Sequence, residues 1–110
     1  MLIVINKLFV KEEKHTEFED FINDRMEFIR NSDCLSYSFE RPTDISMGPS
    51  NFYVLRSVWK DMKHLHSWME SDLFRKAHDK FEGSQEFYFQ ENEMFFHEGI
   101  EAAPTSVVAH

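Results

Sequence analysis

Residues 59–78 read WKDMKHLHSWMESDLFRKAH, and the rest of the chain is organised around this stretch. Asp61 is a good N-cap residue and predicts a helix over residues 62–69. Ser71, followed by the acidic Asp72, predicts a second helix start. Two short helices therefore meet at a joint near Glu70–Ser71. In the second, Phe74, Ala77, His78 and Phe81 fall at i, i+3, i+4 and i+7, one side of a helix, and Gly83 ends it. Both tryptophans lie in this stretch, Trp59 at the close of a strand-like run and Trp68 inside the first helix.

Upstream, residues 51–60 (NFYVLRSVWK) are rich in aromatic and β-branched residues and predict a strand. Residues 34–41 (CLSYSFER) alternate, with Leu35, Tyr37 and Phe39 on the apolar side. The loop PTDISMGPS between them makes the two strands an antiparallel hairpin. Residues 16–30 predict the longest helix. Thr16 and Glu19 have capping-box spacing, and Phe18, Phe21, Ile22, Arg25 or Met26, and Ile29 keep the helical period. Residues 2–10 (LIVINKLFV) predict the first strand, with Leu2, Val4, Asn6, Leu8 and Val10 on one face and Ile3, Ile5, Lys7 and Phe9 on the other. Downstream, residues 84–92 have three aromatics but no clear period and read as a loop packed on the core or a flap. Residues 93–100 predict a last strand, and 101–110 a mobile tail.

The order β-α-β-β-α-β is the split, ferredoxin-like α+β arrangement: a four-stranded antiparallel sheet with helices on one face, in one domain over residues 1–100. The uncovered face would carry Ile3, Ile5 and Phe9, which water covers poorly. A homodimer packing sheet against sheet would bury it.

Composition narrows the function. A net charge of −8 argues against nucleic acid as the main partner. No segment has the length of a membrane helix and no signal-peptide pattern opens the chain, so a cytoplasmic protein without a membrane partner is expected. One cysteine, Cys34, excludes an internal disulfide and has no activating motif beside it. Three glycines leave no phosphate-binding loop. Twelve phenylalanines suit a core or pocket walled by rings.

The residues with chemical potential are few. His15, His64, His66, His97 and His110 read as surface, edge or terminal residues. His78 differs because it continues an apolar helix face; it is either structural or a neutral imidazole suited to iron. Asn6 interrupts an apolar strand face, and a buried amide without partners costs about 1–3 kcal/mol. It is either bonded to a neighbouring loop or water, or turned toward a ligand. Trp68 is either core or pocket wall.

Across residues 1–100 the pattern resembles the antibiotic-biosynthesis-monooxygenase (ABM) superfamily, and within it the IsdG-type heme-degrading monooxygenases. The residues that carry the resemblance are SVWKDMKHLHSWMESDLFRKAH, 57–78, together with Asn6 in VINKL, Trp68 in HSWMESD and His78 in RKAHD. The resemblance implies a dimeric β-barrel and one heme pocket per subunit. His78 would be the axial ligand to iron, with Trp68 pressing on the porphyrin and Phe74 beside it. Asn6 would hydrogen-bond the activated oxygen. Heme would be both substrate and oxygen-activating cofactor, with electrons from a reductase or other external donor, giving iron and a bilin-type product. Arg25, Lys76 and Lys80 are the candidates to meet heme propionates. Three other readings stay open: a cofactor-free monooxygenase of phenolic or quinone-like substrates, a non-catalytic heme-binding module, and a structural dimer in which Asn6, Trp68 and His78 are all core.

Overall fold

The computed structural model describes residues 1–80 and 84–100, and for residues 77–80 and 84 the backbone alone. The strands are β1 (Leu2–Leu8), β2 (Ser36–Glu40), β3 (Tyr53–Trp59) and β4 (Glu93–Glu98), and the helices α1 (His15–Arg30), α2 (Met62–Met69) and α3 (Asp72–Lys80). All pairings are antiparallel in the order β2-β3-β1-β4, the ferredoxin-like topology expected from the sequence. The helix end expected at Gly83, the position of Phe81 and the tail 101–110 lie outside the described residues.

Register fixes the two faces of the sheet. Asn6 pairs with Leu55 and Met94, and Val4 with Ser57 and Phe96. These residues share the side on which the helices pack. Ile5 pairs with Arg56 and Phe95, and Ile3 with Val58 and His97, so these form the opposite, uncovered side. Phe9 lies just beyond the end of β1 at Leu8 but keeps the alternation: Leu8 and Val10 on either side of it belong to the core, and its own ring is beside Phe52, whose ring also meets Lys7 on the uncovered side. Unlike Ile3 and Ile5 it is buried there, with Phe52 and Phe89 at 5.7 and 5.8 Å.

The core is aromatic. Phe18 of α1 is fully buried, with Tyr53 at 5.2 Å, Phe87 at 5.6 Å and Phe39 at 5.9 Å. Aromatic pairs at these separations add to the area they bury. A second cluster joins Val4, Trp59 and Leu65, with Trp68 packed against it. Segment 84–92 is part of the core rather than a flap. Phe87 is buried, and Tyr88 bridges to Val10.

The expected capping box does not form. A 3-10 turn, Glu12–Lys14, runs directly into α1, so Thr16 already lies inside the helix and no side chain caps its start. His15, expected on the surface, is half-buried, with its ring 5.0 Å from that of Tyr53. Glu19 is used elsewhere: Arg41 donates to both of its oxygens and the Tyr53 hydroxyl donates to Oε2 at 2.6 Å. The Arg41 hydrogen bonds, then that from Tyr53, hold the Glu19 carboxyl down at about 2. A carboxyl depressed in the folded state contributes stability above its ordinary value, and that contribution fades as pH falls toward the depressed one. Denaturant midpoints measured between about pH 5 and about pH 2 should therefore fall more steeply for the native chain than for Glu19→Gln. Equal slopes would show that the carboxylate contributes nothing to the fold.

Candidate active site

The two short helices supply one side of a cavity. Asp61 Oδ1 accepts from the backbone N–H of His64 at 3.0 Å and starts α2. The same oxygen holds His64 Nδ1 at 2.7 Å, which ties that histidine to the surface cap. Ser71 is the joint. Its hydroxyl donates to the Trp68 carbonyl at 2.6 Å and accepts from the Phe74 N–H at 3.1 Å, closing α2 and opening α3 with one side chain. Trp68 and Phe74 are thereby brought edge to face, with ring centres 5.6 Å apart.

Trp59 lies behind Trp68. It is fully buried, its indole N–H donates to Ser57 Oγ at 3.0 Å, and its ring stacks on Trp68 at 6.4 Å. Both indoles line the cavity, Trp59 as the buried support and Trp68, half-buried, as the more open of the two.

The cavity measures about 440 Å³ and lies between the sheet and the helices. Asn6 from β1, Trp68 from α2 and Phe74 from α3 all line it. The space is within the range of small-molecule sites. Its walls are mostly apolar, and β4 closes it with Met94 and Phe96, which remain 57% and 51% exposed. His78 follows Phe74 by four residues along α3, and its side chain lies outside the described residues.

The few polar groups in this wall divide into committed and available ones. Ser57 accepts from Trp59, and Asn92 Oδ1 accepts from the Phe9 N–H at 3.0 Å. The Asn6 amide makes no side-chain hydrogen bond among the described residues, although it lines the cavity. An amide in that setting is available to a bound molecule. Arg25 is the cation in the wall; burial lowers its pKa from the ordinary value. Of the other propionate candidates, Lys76 is exposed and the Lys80 side chain lies outside the described residues. Burial pushes the Cys34 thiol up, away from the reactive thiolate.

The sequence did not single out Tyr88 and Asn92, which also line the cavity. The only signal was the aromatic content of residues 84–92. Arg25 left a clearer mark, a charged residue at the helical period of an apolar face.

Residues 1–80 match the family model for antibiotic biosynthesis monooxygenase. The chain belongs to the antibiotic biosynthesis monooxygenase family. Solved structures agree at the level of fold. A point mutant of MhuD with two manganese protoporphyrin IX molecules bound per active site matches with TM-score 0.74 and 16% identity, over 91% of this chain and 95% of that one. A conserved protein from Methanosarcina mazei Go1 matches with TM-score 0.68 and 22% identity, over 90% and 92%. A mutant of SnoaB from Streptomyces nogalater, a cofactor-independent oxygenase, matches with TM-score 0.67 and 16% identity, over 89% and 91%. No curated protein matches by sequence. Among the described residues of this ABM chain, no helix is long and apolar enough to cross a membrane.

The joint gives a direct test of how the cavity wall is held. Ser71→Ala removes both hydrogen bonds and should lower stability by about 1 kcal/mol in urea unfolding. Tryptophan emission should change with it, because Trp68 is released from its carbonyl tether. An unchanged midpoint would mean that packing alone fixes the two helices.

Proposed function

We propose that this ABM protein is a heme-degrading monooxygenase that opens the porphyrin ring and releases iron and a bilin-type product. One observation carries the reading: Asn6, Trp68 and Phe74, from three separate elements, line one largely apolar cavity, and the Asn6 amide has no other partner among the described residues. A neighbour of the same fold, MhuD, holds a metalloporphyrin, which supports a porphyrin as the occupant.

The residues fit such a ligand. Trp68 and Phe74 offer aromatic walls to a flat apolar ring and keep water from it. His78, one helical turn beyond Phe74 in sequence, would supply a neutral imidazole nitrogen to the iron. When bound, heme is both the molecule cleaved and the centre at which dioxygen and electrons from an external donor meet. Asn6 would offer the bound molecule an uncharged amide donor from the cavity wall. A reductase is the partner this chemistry calls for.

We further propose that the working unit is a homodimer. The uncovered sheet face presents Ile3, Ile5, Val58 and Phe95 together, and a second copy would cover them. Sedimentation should find a dimer for the native chain and a monomer for Ile5→Glu; a monomeric native chain would overturn this assignment.

A cofactor-free oxygenase of phenolic substrates is the second reading, favoured by the same Asn6 amide in the cavity wall and by the neighbour SnoaB. Hemin separates the two. Stoichiometric hemin should give a shifted Soret band, and ascorbate under air should bleach it with release of iron and a bilin. No Soret shift would overturn heme as ligand, and a stable band under reductant would leave only binding. His78→Ala should lose tight hemin binding. Asn6→Ala should keep hemin and turn over about a hundredfold more slowly.

A further inference from the structure

Ser57 is the second polar break in the sheet wall of the cavity. The helix side of β3 otherwise carries Tyr53, Leu55 and Trp59, and Ser57 among them is only 7% exposed. It lines the cavity, as Asn6 does. The register relates the two. Ser57 pairs with Val4 and Asn6 with Leu55, so they are diagonal neighbours on one face of adjacent strands. Such neighbours stand about 7–8 Å apart, and less between their Cβ atoms. A hydroxyl and an amide that reach inward from there can meet on one oxygen, since each hydrogen bond spans about 3 Å.

Only part of this hydroxyl's capacity is in use. A serine oxygen accepts two hydrogen bonds, and its O–H donates one. The Trp59 indole N–H can only donate, so at 3.0 Å it takes up a lone pair of Ser57 Oγ and leaves the proton. That proton meets no acceptor among the described residues. The side chains nearest to it across the strands, Val4 and Leu55, have none to offer. Trp59 is fully buried, so its N–H holds Oγ in place against the cavity. A buried donor without an acceptor is disfavoured, and a ligand oxygen would offset that cost.

We propose that the Ser57 hydroxyl is a second ligand-binding donor, which with the Asn6 amide holds an acceptor oxygen of the bound molecule against the sheet. Contact with the rings of Trp68 and Phe74 leaves a flat ligand free to turn in its own plane. Hydrogen bonds from two strands stop that turning and set which part of the ligand meets the sheet. Both donors are uncharged, so the acceptor they select is a neutral oxygen such as a carbonyl. The proposal rests on the cavity being the site of oxygen chemistry, which both functional readings share.

Duroquinone and durene are flat rings with the same four methyl groups, and they differ in the two carbonyl oxygens of the quinone. Equilibrium dialysis of each against the full chain measures the donor apart from hemin. Ser57→Ala should bind duroquinone about fivefold more weakly, the size of one hydrogen bond. It should bind durene as the native chain does, which also reports an intact cavity. Ser57→Thr keeps a hydroxyl and should hold duroquinone at native affinity. Trp59→Phe removes the N–H that Ser57 serves, and Ser57→Ala added to it should still weaken duroquinone about fivefold. No further loss in that background would show that Ser57 serves the indole alone and would overturn the proposal. So would a native chain that binds neither probe, or a Ser57→Ala chain that loses both probes alike. The Soret band with hemin is read separately, so the heme reading stands or falls on its own.

Discussion

The hydroxyl of Ser71 is the contact on which the cavity depends. A continuous helix through residues 62–80 would keep Trp68 and Phe74 on one straight rod. The chain instead stops one helix and starts another within three residues, and Ser71 bonds to both ends. Helix ends leave carbonyls and N–H groups without partners, and one side chain here satisfies one of each. The break brings Trp68 edge-on to Phe74 and stacks it on the buried Trp59. The stack then runs through Ser57 into β3, so the cavity wall is anchored in the sheet.

The opposite constraint comes from α1. Its Phe18 is locked among Tyr53, Phe39 and Phe87, which fixes how closely the helix approaches the sheet. Ile22, Met26 and Ile29, farther along the same face, border the space that remains. The helices thus cover the sheet incompletely, and the gap between α1 and the α2–α3 pair is the cavity. Its polar groups make sense only in this setting. Ser57 and Asn92 hold neighbours as acceptors, whereas among the described residues Asn6 makes no side-chain hydrogen bond and Arg25 no ion pair. Polar groups of this kind cost stability in an apolar wall unless something binds them, which is the common signature of a working site.

The same sheet explains why covering is incomplete on its other side. Ile3, Ile5, Val58 and Phe95 cannot reach the helices, because alternation along a strand turns them away. Lys7 lies over the rings of Phe52 and Phe95, at 4.8 and 5.3 Å, and shields part of that face from water. The aromatic content that looked excessive for a chain of this length is thereby divided among a core, a cavity and an exposed surface.

The sequence alone determined the element order, the faces of β1, the caps Asp61 and Ser71 and the break between them. These rest on local periodicity and on backbone groups a few residues away. It failed at Thr16 and Glu19, where the capping spacing was present but Arg41 and Tyr53, distant in sequence, offered Glu19 stronger partners. From residue type and resemblance it named Asn6, Trp68, Phe74 and His78 for one pocket, but the walls of the cavity that the first three border are drawn by separate elements and came only with the fold. It left residues 84–92 undecided because a 3-10 turn has too few residues for a period. Only the tertiary structure put Tyr88 and Asn92 against the cavity beside Arg25, through backbone bonds to Phe9 and Val10 across the whole length of the chain. Contacts between residues so far apart leave no pattern in a single sequence.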